Sequence, residues 1–336
     1  MNIKSIYKIV SLLLLIVLCV ACTSNSQSQL KRGFDQVDSR LKVLCTTGMV
    51  QDIVSCVGQQ HVDTLTLIKE DLDPHTYELI KGDDEKFLSS DLIFYNGLGL
   101  EHSPNIYRHL KEHAHSFSIG DFIREKHPDQ ILSVDGQLDP HIWMDISLWE
   151  NGIDLIVQEL SNHDPEHECF YHEQGSKLHE EMKQTHDRIY TLLQEIPEKQ
   201  RYLVTCHDAF NYFTRSYLAT SDELKKGSWK ERCKSPEGLS PYSQLSMSDI
   251  QDVVTHLQKH NIEVIFPESN VNLDSVKKIR EVSNKLGRRL FIAPFHLYAD
   301  SMGKKGEGQD TYLKMLYYNA EVIAKCLKSK EAYDQK

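Results

Sequence analysis

The chain has 336 residues, with 38 Lys and Arg against 49 Asp and Glu, a formal charge of −11; 40% of it is hydrophobic and 26% charged. That length exceeds one ordinary core and suits two α/β domains, and the composition excludes a disordered or membrane-embedded body. No basic patch or tail stands against the acidic balance, so nucleic acid is excluded as a partner.

The N-terminus comes first. Lys4 and Lys8 precede the 12-residue apolar run IVSLLLLIVLCV, which is too short to cross a bilayer as a helix, where about 20 apolar residues are needed. The run ends at Ala21-Cys22 and a polar stretch, the layout of a bacterial lipoprotein signal. Residues 1–21 are therefore expected to be a signal peptide, with Cys22 lipidated and residues 22–40 as a tether. A plain cleaved signal is the alternative, and either one exports the protein. Loss of the leader takes the charge to −13. Six cysteines remain in the body (Cys45, Cys56, Cys169, Cys206, Cys233 and Cys326) with no CxxC pair. A zinc-finger or thioredoxin-like reading is thereby excluded.

From residue 41 short apolar runs alternate with amphipathic stretches. LKVLCTT, VDTLTLI and DLIFYNGL read as buried strands of a parallel sheet, with MVQDIVSCVG and EKFLSS as helices between them. RYLVTCHD, IEVIFPE and RLFIAPF repeat that pattern later in the chain. The expected fold is therefore α/β with two lobes, 41–164 and 197–336, each a small parallel sheet flanked by helices. Between them, 165–196 carries apolar residues at helical spacing (Phe170, Leu178, Met182, Ile189, Leu193) up to Pro197, which predicts one long, stiff connecting helix. The segment 221–241, rich in charge, Gly and Pro, reads as a surface loop or insertion.

Three histidines stand out along this frame. DPHTYE and DPHIWMD place His75 and His141 behind Asp-Pro turns, and TCHDAF places His207 at the end of a strand. Proline fixes its own φ and keeps the residue before it out of the helical region, so each turn can aim an imidazole. The carboxyl edge of a parallel sheet is where such folds bind ligands, and FHLYADSMG supplies Asp300 at the end of another strand. By pattern alone, surface accident and a shared site explain the histidines equally well, since the chain has 17. His102, His109, His113, His115 and His127 read as a solvated helix face and loop, and His172, His179 and His186 as a solvent face of the connector. Cys206 reads as core. Asp73, Asp139 and Asp208 fit turn roles or support of the neighbouring loops.

From about 41 to 328 the chain resembles the cluster A-I metal-binding subunits of ABC importers, the TroA/ZnuA/PsaA type. DPHTYE, DPHIWMD, CHDAFNYF, IFPESNVN and LYADSMG fall in the family's order. IFYNGLGLEHS, RYLVTCHDAFNYFTRSYL and RCKSPEGLSP resemble most closely the chlamydial YtgA-type lipoproteins. The resemblance implies capture outside the cytoplasm of one divalent transition metal (Fe, Mn or Zn) in the cleft between lobes, on His75, His141, His207 and Asp300. It implies a membrane permease with its cytoplasmic ATPase as partners, a membrane anchor through the lipid, and a monomer. Two departures stand. SQLS (243–246) replaces the family's Glu-Pro-Ser, and the long acidic histidine loop of dedicated zinc binders is missing. A third histidine where some relatives have glutamate favours Zn²⁺ or Fe²⁺ over Mn²⁺. No enzyme is expected, since HExxH is absent and Asp300 would fill the position that a catalytic zinc leaves to water. A cell-surface adhesin or passive metal buffer is a secondary alternative. Affinity is expected to fall below about pH 6.5, where imidazoles protonate.

Overall fold

The computed structural model describes residues 34, 39–69, 72–240 and 246–329. The leader, Cys22, most of the tether and nearly all of SQLS lie outside them. Among the described residues no helix is long and apolar enough to cross a membrane, and all six body cysteines are free.

The first lobe is a four-stranded parallel sheet in the order β2-β1-β3-β4, built from β1 (Leu41–Cys45), β2 (Val62–Thr66), β3 (Leu92–Tyr95) and β4 (Ser116–Ser118). Both faces of β1 are covered, which explains its unbroken apolar character. Val43 and Cys45 pack into the main core, and Leu44 faces a smaller cluster with Phe87 and Ile93. The crossovers are α1 (Gly48–Gly58), α2 (Asp83–Ser89) and α3 (Pro104–Glu112), and α4 (Ile119–Lys126) follows β4. Thr47 starts α1 by accepting a hydrogen bond from the Val50 N–H. A hairpin of β5 (Ser133–Val134) and β6 (Gln137–Leu138) follows, then α5 (Gly152–His163).

The connector is α6 (Glu168–Gln194), 27 residues and about 40 Å long at 1.5 Å per residue. Tyr171, Gly175, Leu178, Met182, Ile189 and Leu193 form its buried stripe. Its histidines are not a uniform solvent face. His172 is exposed, but His179 lies 3.4 Å from Asp154, and His186 shares a 3.0 Å hydrogen bond with the Tyr217 hydroxyl.

The second lobe is sparser. β7 (Leu203–Val204) pairs in parallel with β8 (Cys233–Lys234), and β9 (Val264–Ile265) with β10 (Phe291–Ile292). A hydrogen bond from Phe266 N to Val204 O (2.8 Å) joins the pairs, giving a rudimentary parallel array β8-β7-β9-β10. The helices are α7 (Met247–Lys259), α8 (Asp274–Lys285) and α9 (Tyr312–Lys328). Ser246, the one described residue of SQLS, begins α7 in a reciprocal capping box with Asp249.

The segment 221–241 is not a simple loop. It holds a short helix (Ser221–Lys226) capped by Thr220, a 3₁₀ turn (Ser228–Arg232) and β8. Arg232 anchors it: its buried guanidinium meets Glu223 at 2.6 Å and donates to the carbonyls of Glu198 and Arg201. Gly and charge mark a surface loop only when nothing buried answers the charge, and here Glu223 and two carbonyls do.

The lobes share a core. One cluster runs from Val43 through α1, α5, α6 and Phe213 to Cys326, and α9 returns to the first lobe, where the Tyr312 N–H donates to Asp52 Oδ2 at 2.9 Å. Trp143, carried between the lobes, donates its indole N–H to Ala299 O (2.9 Å) and receives the Tyr312 hydroxyl on its carbonyl (2.6 Å). Gly175 is what lets α6 approach α5, since a Cβ there would stand 2.6 Å from Val157 Cγ2. Gly175→Leu is expected to lower unfolding free energy by about 1–3 kcal/mol through overpacking, read as a lower denaturant midpoint at unchanged m-value.

Candidate metal centre

The four expected residues come together. His75 follows β2 after Leu67 and Ile68 extend the pairing with β1, His141 opens the 3₁₀ turn Ile142–Met144, His207 follows β7, and Asp300 follows β10. The His75 and His141 Nε2 atoms are 3.2 Å apart. Asp300 Oδ1 lies 3.3 Å from His141 Nε2 and 3.9 Å from His75 Nε2, and Oδ2 lies 3.0 Å from His207 Nε2. All three imidazoles thus turn the same nitrogen toward one carboxylate.

The site is closed. The side chains of His141, His207 and Asp300 have no exposed surface, and that of His75 retains 4%. Although both Asp300 oxygens stand at ion-pair distance from the rings, neither accepts a hydrogen bond of adequate geometry, and His207 Nε2 is equally without one. Buried polar atoms in this condition are rare. A cation placed among them would satisfy every one.

Local structure explains the aim of each ring. Asp73 accepts the His75 N–H (2.9 Å) and the Thr76 hydroxyl (2.8 Å), which makes it a turn residue. Asp139 accepts the His141 N–H (3.0 Å) and also meets His141 Nδ1 at 2.7 Å, so it fixes both backbone and ring. Asn211 Nδ2 holds the other oxygen of Asp139 at 3.1 Å. Pro140 rests on the first lobe, its carbonyl accepting from Asn96 Nδ2 at 2.9 Å. The loop after β3 is wrapped about the buried Glu101, which accepts from Thr46 Oγ1 and from the N–H groups of Asn96 and Gly97. Gly97 is required there: its φ is +77°, and a Cβ would collide with Ser118 Oγ. Asp208 accepts from the Ser235 hydroxyl.

Glu268 is the residue that sequence reasoning missed. From the end of β9 it accepts the N–H groups of Cys206 (2.7 Å) and His207 (3.1 Å), and its second oxygen stands 2.6 Å from His207 Nδ1. The signal was present in IFPES, an acidic residue at the carboxyl end of a strand beside the one that presents His207. Cys206 itself points into the second lobe's core with Val204 and Ile265. Among the described residues, the histidines of 102–127 do not converge on one point. His109 pairs with Asp84 at 2.9 Å and stacks on Phe87, His113 bonds Ser90 O and His127 bonds Asn151.

The carboxylates set the protonation. Burial opposes charge on His141, but Asp139 and then Asp300 outweigh it and push the imidazole up to about 9. Burial also opposes charge on His207, where Glu268 and Asp300 raise it well above the usual value. His75 has no carboxylate at its outer nitrogen among the described residues, and burial lowers it despite Asp300. Burial would raise Asp300, but His207 and the contacts with all three rings hold it well below the ordinary carboxylate range. The neighbouring carboxylates thus favour the protonated form of His141 and His207 in the absence of an ion.

Known proteins match this chain over most of its length. Residues 43–326 fit the family model for the zinc-uptake complex component A, periplasmic (ZnuA). The chain belongs to that family. It is 39% identical to the metal-binding protein YtgA of Chlamydia pneumoniae over 291 residues, 87% of each chain. It is 31% identical to the manganese-binding lipoprotein MntA of Bacillus subtilis over 295 residues, 87% of this chain and 91% of that one. Among solved structures, Fe(III)-bound YtgA from Chlamydia trachomatis aligns with a TM-score of 0.81 at 36% identity, covering 85% of this chain and 98% of that one. The metals in these names differ, in keeping with a donor set that suits several ions.

Glu268→Gln keeps the shape but removes the charge behind His207. Metal affinity is expected to drop about 10- to 100-fold, the usual effect of losing a carboxylate behind a ligating histidine; competition against a chelator of known affinity measures it. Unchanged affinity would make Glu268 a backbone anchor only.

Proposed function

We propose that this protein captures a single transition-metal ion outside the cytoplasm and delivers it to an ABC permease with its ATPase. The ion would be held by Nε2 of His75, His141 and His207 and by Asp300. The observation that carries the reading is the convergence of those four groups in a closed interior, with the Asp300 oxygens lacking hydrogen bonds. Three imidazoles and a carboxylate suit tetrahedral Zn²⁺, and a bidentate Asp300 gives the five-coordination that Fe and Mn accept.

Four protein donors around an enclosed ion leave no position for an activated water, which favours a carrier over an enzyme. The finer reading adds Cys22 as the lipidated anchor and a monomeric chain. It also adds a small movement on loading, because the lobes share a core and are stapled by Trp143. Comparison of metal-free and loaded forms is expected to show loop shifts near His75, the least enclosed ligand; a wide hinge rotation would overturn this part.

His141→Ala is expected to lose most metal binding while keeping the native circular dichroism spectrum, and a wild-type titration from that variant would remove His141 from the site. The decisive experiment is elemental analysis of protein purified from its own cell, followed by competition among Fe²⁺, Mn²⁺ and Zn²⁺ and by uptake assays with and without the permease.

The raised pKa values change the pH dependence expected from sequence. An ion must compete with protons on His141, whose imidazole is pushed up to about 9, and on His207, which its carboxylate neighbours also raise. Affinity should therefore climb with pH across the whole neutral range and not level off above about 6.5. Calorimetry at pH 7 in buffers of different ionisation enthalpy should report about two protons released per ion. Release of none would contradict the assignment.

A further inference from the structure

A second group of metal-binding side chains lies in the other lobe, away from the cleft. α7 carries His256 in its last turn and His260 caps its C-terminus four residues later, with the two ring centroids 4.6 Å apart. The 3₁₀ turn of the 221–241 segment brings Glu231 to them, with Oε2 3.3 Å from His260 Nε2. One donor atom from each of the three residues lies within 4.8 Å of the others. His256 is 8% exposed, and its Nε2 is buried with no hydrogen-bond partner among the described residues. A buried ring nitrogen left in that state is costly unless something binds it.

We propose that His256, His260 and Glu231 form a second, partly open metal site that takes Zn²⁺ or another borderline divalent ion favouring imidazole, with water completing the coordination. Two histidines one helical turn apart grip an ion from one side, and a carboxylate from a separate segment closes the other. The cleft beside them, lined by Trp229, Glu231, Asp252, Thr255, His256 and Lys259, gives an ion access. Tyr202 stacks on the His260 ring at 4.3 Å and steadies it.

The buried His256 Nε2, which has no hydrogen-bond partner among the described residues, is the donor that an ion would satisfy. One group competes: the Lys259 ammonium lies 2.6 Å from the same Glu231 oxygen. Lys259 is 60% exposed and can swing into water, whereas the enclosed His256 nitrogen has no such escape. Binding would pin the 228–232 turn to α7, so the segment that departs from a simple loop gains a function.

The test counts Zn²⁺ bound to the mature chain at equilibrium with buffered free metal, with Co²⁺ absorption as a check on nitrogen ligation. Wild type should take two equivalents, one tight and one weaker. His260→Gln should lose the weaker one and keep the tight one, Glu231→Gln should weaken it at least tenfold, and His141→Ala should lose the tight one and keep the weaker. Lys259→Ala removes the competitor and should tighten the weaker site. A wild type that saturates at one equivalent overturns the proposal. So does a weaker site indifferent to both Glu231→Gln and His260→Gln, or one that loosens in Lys259→Ala. Because Glu231 and Lys259 are exposed, those two variants decide the question even if His260→Gln fails to fold.

Discussion

Burying three carboxylates at one point of a protein interior costs several kcal/mol for each one unless positive charge is buried with it. Asp139, Glu268 and Asp300 are in that position, surrounded by the rings of His75, His141 and His207. Two imidazolium charges against three carboxylates leave a formal charge of −1. A divalent ion among neutral imidazoles leaves the same −1. Exchange of two imidazole protons for one dication would leave the net charge of the interior unaltered. Each carboxylate has its own place in the arrangement: Asp300 faces all three rings, Asp139 fixes one ring and its backbone, and Glu268 fixes another.

The remaining structure holds those carboxylates at one point although they come from three elements. The Asp139 loop is supported from the first lobe by Asn96 and from the second by Asn211. Glu268 reaches His207 because β9 lies beside β7, and Asp300 arrives through β10, paired with β9. A shift in the register of β9 or β10 would displace Glu268 or Asp300, which follow those strands, relative to His207 after β7. The shared core, Trp143 and α6 all resist such a shift, so the stiffness of the frame and the accuracy of the site have one origin.

How much of this could be read from sequence depended on whether the cause was local. The parallel sheets, the long helix and the aspartate-proline turns rest on periodicity and on proline, and these are legible in single stretches. His75, His141, His207 and Asp300 were found through strand ends and family resemblance, and the structure places them together. Glu268 was missed because its task appears only when β9 is set beside β7, a pairing no local pattern announces. The 221–241 segment has the composition of a loop, because its burial depends on Arg232 meeting Glu223 and two distant carbonyls. The spacing of His186 suggests a solvent face because Tyr217, its partner, lies 31 residues away. In each case the sequence showed the residue and tertiary contact supplied the role.

The return of α9 to the first lobe bears on timing. Asp52 waits for the Tyr312 N–H, 260 positions later, and Trp143 for Ala299 and Tyr312. Until those late residues are in place, α1 and α6 lack one wall of their common core, and apolar surface there stays in water. Contacts of such sequence separation form slowly, because a long loop must close before they contribute. The last helix, Tyr312–Lys328, is therefore a structural part of the first lobe, whose core is complete only with residues from the far end of the chain.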